Sequence, residues 1–396
     1  MVNVGHGDPV VSAAARDQFS AVSYVHPSAF TTEVSETYAA RLAAIAPVPD
    51  ASVYPVSGGS EAVETALKVA RAYHLAMGAS QRTVIIGREL SYHGNTRGAL
   101  DVSGRVALRR PYLPWLGLAG RVPGVLEYRC PNPRHPDACA AWHAGALEAE
   151  IARIGPDRVA AFVAEVVGGA ASGAAVPPDG YWEAITAVCR RHGVLVIADE
   201  VMSGFGRTGA WFAAEHFGLE PDILTLAKGA SSGYWPLGLC LFRGDIARAL
   251  EESGLVHGFT FSHHPVGAAV GLAVLERIDE LGLVDAARTR GERLIARLRE
   301  EIGDHPLVGD IRGIGLMLAV EIVSDRDTRE PFPAAARMAD RLASLARDER
   351  LLVYPSTGSA GSGLGDLVLV GPPLVIDEDA IDMLVASLST ALGHLS

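Results

Sequence analysis

Lysine is almost missing from this chain. Of 34 basic residues only Lys68 and Lys228 are lysines, and the formal net charge is −12. Nucleic acids and anionic membranes are held by clustered basic side chains, and no such cluster with interleaved aromatics is visible. Cysteine is scarce as well, with four in 396 residues, which suits reduced thiols in the cytoplasm better than a disulfide framework. No uncharged apolar run approaches the ~20 residues of a membrane helix. The opening MVNVGHGDPVVSAAARDQ has neither the basic nor the apolar part of a secretory signal, so a cytoplasmic location is expected. No internal repeat is present.

What is there suits a soluble globular protein long enough for a large core and two domains. Short apolar runs alternate with helical patterns, which predicts βαβ units and an α/β fold. Helical periodicity is clearest over 61–77, 146–154, 180–192, 265–281 and 285–302. Strand-like runs cover 83–86, 159–166, 194–198, 223–226 and 237–242. The last quarter reads as a smaller α+β domain: a charged helix, RGIGLMLAVEIV, a helix over 334–350, LLVYP, a Gly/Ser stretch at 356–365, LVLVGPPLVI and a terminal helix. The Gly/Ser stretch is expected to be mobile and to cover a pocket.

RCPNPRHPDACAAWH sets Cys130, His135, Cys139 and His143 at spacings loosely like a zinc site. The close Cys-x2-Cys pair of such sites is missing and three prolines interrupt the stretch, so it is read as a Pro-rich surface excursion without metal.

Chemistry is concentrated at strand ends. VLVIADEV does not alternate, as suits a parallel strand covered on both faces, yet it ends in Asp199 and Glu200. Carboxylates there must be solvated, protonated or paired with a cation, and strand carboxyl ends face the ligand crevice of open α/β sheets. Lys228, in PDILTLAKG, follows the end of another apolar run. An Asp–Lys ion pair of purely structural purpose explains these two residues alone. Two further stretches point to a ligand. YPVSGGSEAVETALK is an apolar start, a Gly-rich turn and an amphipathic helix, whose free N–H groups suit a phosphate. SYHG places Tyr92 beyond the 83–86 strand, where a ring can stack on a flat ligand. Together these roles describe pyridoxal phosphate, with a lysine for its aldehyde and an acid for its ring nitrogen. Lys68 lies inside the helix after the turn and is read as solvated.

The stretches SGGSEAVETALK, SYHG, AEVVGGAASGAAVPPDGYW, IADEVMSGFGRTG, PDILTLAKG, HGFTFSHHPVGAA, RGIGLM and GPPL, in this order, resemble the class III aminotransferases of the fold-type I pyridoxal-phosphate enzymes. The resemblance implies a large domain with a mixed, mostly parallel sheet and a smaller α+β domain. The division expected is 1–30 as an N-terminal segment joining the small domain, 31–265 as the cofactor-binding domain and 266–396 as the small domain. It also implies that Lys228 forms the Schiff base, Asp199 pairs with the ring nitrogen, and Val201 packs on the ring face opposite Tyr92. Gly59 and Ser60 would bind the phosphate. Thr260 would reach the phosphate of the neighbouring subunit, which requires a homodimer. Glu165 matches the family's glutamate near the substrate pocket, and Arg207 is expected to hold a loop. His93 and the pair His263–His264 are read as packing or hydrogen-bonding residues.

Two departures from the pattern bear on substrate. The match begins inside the usual family N-terminus, which often supplies an aromatic wall of the pocket, and Tyr24 is the remaining N-terminal candidate. Many relatives hold a substrate carboxylate with an arginine shortly before the PPL motif, but 351–396 contains no Lys or Arg. Arg97 or Arg312 are the possible substitutes. The expected activity is transfer of an amino group from an amine or ω-amino compound to a keto acid, pyruvate before 2-oxoglutarate, by a ping-pong route. The alternative is a racemase, aminomutase or decarboxylase on the same scaffold.

Overall fold

In the computed structural model, which describes residues 1–395, the apolar runs become the middle of one sheet. Its strands are β1 (Ser52–Val56), β2 (Val84–Arg88), β3 (Gly120–Val122), β4 (Val159–Glu165), β5 (Leu195–Asp199), β6 (Ile223–Leu226) and β7 (Gly238–Phe242). Their order is β1-β7-β6-β5-β4-β2-β3. Strand β7 runs antiparallel to both its neighbours, β1 and β6, and the other pairs are parallel, so the sheet is mixed and mostly parallel. Every residue of β4, β5, β6 and β7 is buried, which explains why these segments do not alternate in polarity.

Successive side chains still point to opposite faces, and the two faces meet different helices. Ala161 and Val163 of β4 and Leu195 and Ile197 of β5 pack with Val63, Ala66 and Ala70 of the helix Gly59–Ala76. Phe162 and Val196, one residue along, pack in the core that holds Trp182, Ile185 and Cys189 of the helix Tyr181–His192. A fully buried side chain such as Phe162 contributes about 2 kcal/mol of transfer free energy. This two-sided covering fixes the register of the strand ends, and therefore of the site.

Two N-terminal helices, Pro9–Ala21 and Glu33–Ile45, lie outside the sequence expectation. Asp8 caps the first, accepting from the backbone N–H of Val10 and Val11, and Thr32 caps the second. Both pack on the helix Pro265–Glu280, and a Cβ on Gly271 of that helix would meet the Tyr38 ring at 2.5 Å. The smaller sheet, all antiparallel, has β8 (Val308–Ile314), β9 (Met317–Ile322), β10 (Tyr354–Thr357) and β11 (Asp366–Val370) in the order β10-β11-β9-β8.

Three expectations need correction. The helix expected over 146–154 begins at Cys139, so it takes in the last residues of the stretch read as an excursion. The helix expected from 334 begins at Met338, after Arg337 takes a left-handed backbone at φ +48°. The Gly/Ser stretch is fastened at its start: Ser356 and Ser359 are buried, Ser356 Oγ donates to the Ala170 carbonyl and Ser359 Oγ to Glu321. The two domains are tied close by, where Arg129 Nε pairs with Glu321 at 2.6 Å and Arg329 donates to the Tyr128 carbonyl. No helix among the described residues is long and apolar enough to cross a membrane.

Candidate active site

Strands β5 and β6 are parallel neighbours with Asp199 opposite Thr225. Lys228, three residues beyond Thr225, therefore emerges one strand over from Asp199. Its backbone sits at φ +44°, a left-handed conformation that costs an L-residue about 1–2 kcal/mol. Lys228, Asp199, Tyr92, Val201, Gly59 and Ser60 line one cavity of about 490 Å³.

The two carboxylates that end β5 have separate partners. Glu200 turns away and is fully buried, accepting from the backbone N–H of Ala213 (2.6 Å) and Ala214 (2.8 Å) and from Ser203. Burial nevertheless raises its carboxyl to about 7. Asp199 turns into the cavity. Its Oδ1 accepts from Val201 N at 3.0 Å, and its Oδ2 meets His93 Nδ1 at 2.7 Å. Beside it in β4, paired in register, stands Glu165. Glu165 accepts from the backbone N–H of Tyr92 and Gly169, at 3.3 and 2.9 Å. Burial pushes its carboxyl above the ordinary value, with Asp199 adding to the effect and His93 and Arg88 opposing it. Glu165 thus holds the segment that carries Tyr92.

No hydrogen bond or ion pair is made by the Lys228 amine among the described residues. Burial holds it below the ordinary lysine value, against the opposing pull of Asp199 and Glu165. Cationic charge on this amine is therefore easily given up.

The cup is built on close backbone approach. A Cβ on Gly238, which opens β7, would lie 2.3 Å from the Gly58 carbonyl, and a Cβ on Gly59 would meet Val201 at 3.1 Å. Gly94, at φ +137°, lets its loop press on Ser60, and Ser60 Oγ accepts from Asn95 N. The helix Gly59–Ala76 begins at the cavity wall and offers its first N–H groups to an anion.

The profile described as Aminotransferase class-III matches residues 1–392. The chain belongs to that family. The putrescine–pyruvate aminotransferase of Pseudomonas aeruginosa is 35% identical over 97% of this chain and 82% of its own length. The diaminobutyrate–2-oxoglutarate transaminase of Halomonas elongata is 33% identical over all of this chain and 85% of its own. An amine transaminase from an uncultivated Pseudomonas species, solved in its pyridoxal-phosphate-bound internal aldimine form, superposes with a TM-score of 0.92 at 36% identity, over all of this chain and 89% of its own. This aminotransferase is accordingly a pyridoxal-phosphate enzyme, and the residues present fit the cofactor: an unpartnered amine, a buried carboxylate and a side-chain-free cup share one cavity.

Not every expected residue of the aminotransferase lies there. Thr260 is exposed and lines no part of this cavity; its carbonyl accepts from the Tyr24 hydroxyl at 3.0 Å. Tyr24 is with it on the surface, edge-on to Phe261. Arg97 donates to the Trp115 carbonyl, outside the cavity. Arg312 is consumed by Asp310, Glu321 and the Ser172 and Gly173 carbonyls. Arg207 is buried and donates to the Leu316 and Pro372 carbonyls and to Asn3, so it does hold loops together.

Two residues escaped the sequence reading in their particular roles. His93 was legible as a hydrogen-bonding residue, but its partner Asp199 lies 106 positions away. Arg105 had no signal. It lines a wider cavity of about 750 Å³ that also reaches Lys228, Tyr92 and Tyr354, and its Nε is buried without a hydrogen-bond partner.

Proposed function

We propose that this aminotransferase takes its amino group from an amine or ω-amino compound and passes it to a keto acid, pyruvate before 2-oxoglutarate, by a ping-pong route. The observation that carries the reading is the unpartnered, desolvated amine of Lys228 in one cavity with Asp199. Bound pyridoxal phosphate supplies an electron sink for a carbanion at the amino-bearing carbon of the substrate. Lys228 would hold the cofactor, and its amine is the base placed to take a proton from that carbon. A base with a pKa of ~10.4 is poor at neutral pH, and desolvation corrects this. Asp199 would keep the ring nitrogen protonated, and His93 keeps Asp199 in place.

Tyr92 and Val201, which line the same cavity, would hold the ring. Gly59, Ser60 and the start of their helix hold the phosphate. Thr260 completes the phosphate site of a second subunit, so the working form is a homodimer. Its exposure and its absence from its own chain's cavity support this, and Tyr24, bonded to the Thr260 carbonyl, travels with it to the partner. Glu165 acts by positioning Tyr92.

The named relatives divide between pyruvate and 2-oxoglutarate, so the acceptor is argued from the cavity. With Arg207 and Arg312 occupied, Arg105 is a guanidinium lining the wider cavity that makes no side-chain hydrogen bond or ion pair among the described residues. One guanidinium answers one carboxylate, which favours a monocarboxylate acceptor. A donor amine added without a keto acid should convert the cofactor once and stop, and pyruvate should restore it. Restoration by 2-oxoglutarate with pyruvate inert refutes the acceptor choice. Continued turnover without any keto acid would instead mark a racemase, aminomutase or decarboxylase.

A further inference from the structure

The excursion before the helix Cys139–Ile154 brings together three side chains that the catalytic site does not use. Cys130 Sγ lies 3.6 Å from Cys139 Sγ, and His135 Nδ1 lies 3.2 Å from the same sulfur. All three ligand atoms fall within 4.8 Å of one another, and no other such group of three occurs among the described residues. His143 stays out of the cluster, packed edge-on against Trp142 and Tyr181.

Both separations lie a few tenths of an ångström inside the edges of a coordination tetrahedron. With Zn–S near 2.3 Å and Zn–N near 2.0–2.1 Å, the edges of the tetrahedron are roughly 3.8 Å between sulfurs and roughly 3.6 Å between sulfur and nitrogen. Two neutral thiols have no strong reason to crowd together, since each is only a weak donor and a weak acceptor. The backbone is arranged to hold them there. Asn132, buried, donates from Nδ2 to the Asp137 carbonyl and to Cys139 Sγ, while its Oδ1 accepts from Arg134 N. An N–H donor on the sulfur is what an outer-sphere partner of a thiolate ligand provides. Cys139 is also the first residue of a 16-residue helix, which fixes its place beside Cys130.

We propose that Cys130, His135 and Cys139 form a zinc site, with a water in the fourth position. This revises the metal-free reading of the sequence, which required a close Cys-x2-Cys pair; here a turn and a helix start supply the ligands. Binding exchanges the two thiol protons for one Zn²⁺, with no change of oxidation state. The purpose is mechanical. Cys130 directly follows Tyr128 and Arg129, which grip Arg329 and Glu321 of the small domain, and the ion ties that grip to the helix beside the large sheet.

The test uses full-length holoenzyme kept under reductant, loaded with Zn²⁺ and desalted, with bound metal counted by mass spectrometry against a chromophoric chelator. We expect about one zinc per chain, and at least ~10-fold weaker binding in Cys139→Ser and in His135→Ala. Stripping zinc should lower the melting temperature of the wild type and leave that of His135→Ala unmoved. Co²⁺ added to Lys228→Ala should give thiolate-to-cobalt charge-transfer absorption without cofactor overlap. Equal zinc uptake by wild type and His135→Ala, or none by the reduced wild type, overturns the proposal. So does a wild-type mass two hydrogens light under the same reductant, which identifies a disulfide. If Cys139→Ser does not fold, the exposed His135 carries the comparison.

Discussion

His93 Nδ1 lies 2.7 Å from Asp199 Oδ2, and both side chains are closed to solvent. With the Asp199 oxygen as acceptor, Nδ1 is the donor of this contact. With Val201 N on the other oxygen, Asp199 is fixed from two sides. A hydrogen bond to a charged group is worth about 1.5–3 kcal/mol. His93→Phe should therefore lower kcat by ~10-fold or more and shift the cofactor's visible absorption. His93→Asn, whose amide nitrogen can take the Nδ1 place, should retain more of both. Equal kcat in all three proteins refutes the positioning role.

Lys228→Ala should abolish turnover and the visible chromophore together, with partial rescue by added small amines. Because burial lowers this amine in the folded protein, the limb of the kcat profile that reports its deprotonation should fall below the ordinary ~10.4. A limb at or above that value contradicts a desolvated base.

Thr260 can be assigned to one chain or the other by complementation. Thr260→Val should weaken cofactor binding by ~10-fold or more. Mixed dimers of Thr260→Val and Lys228→Ala chains contain one site with both residues intact only if the threonine acts across the interface. Recovery of high-affinity activity on mixing is the expected result; additive loss means that it acts within its own chain.

Arg105→Gln should raise KM for pyruvate by ~10-fold or more and leave the half-reaction with a simple amine near its wild-type rate. Stopped-flow measurement of the two halves separates these effects. Equal slowing of both halves points to a structural role for this arginine.

Much of this arrangement was readable in the chain because a strand buried on both faces has a distinctive composition. The expected run at 223–226 is β6 itself, β4 and β7 differ from expectation by one residue at one end, and β5 is displaced by one residue at both ends. β3 has only three residues, Gly120–Val122, too few for any period to show. The N-terminal helices are short and alanine-rich, and their stability comes from the distant helix they cover. The same limit applied in the site. Asp199 and Lys228 announce themselves as charges at the ends of apolar strands. The pairing of His93 with Asp199, and the unpaired donor of Arg105, depend on contacts that no local window contains.

Glu200 should leave a signature in stability against pH. Its carboxyl is raised from the ordinary 4.5 to about 7 by burial, so between these values the folded state binds the extra proton. Stability from this group is then full below 4.5 and is lost as pH rises to about 7, by about 3 kcal/mol. Glu200→Gln should flatten that slope in melting curves taken from pH 5 to 8. An unchanged slope would show that Glu200 is ionised throughout.

The carbonyl of Gly58 occupies the space a side chain at Gly238 would need. The seat of the vitamin is thereby gauged by a strand lying behind it. Damage at that glycine would present as a nutritional symptom, poor saturation relieved by excess B6, in an enzyme whose reactive groups are all intact.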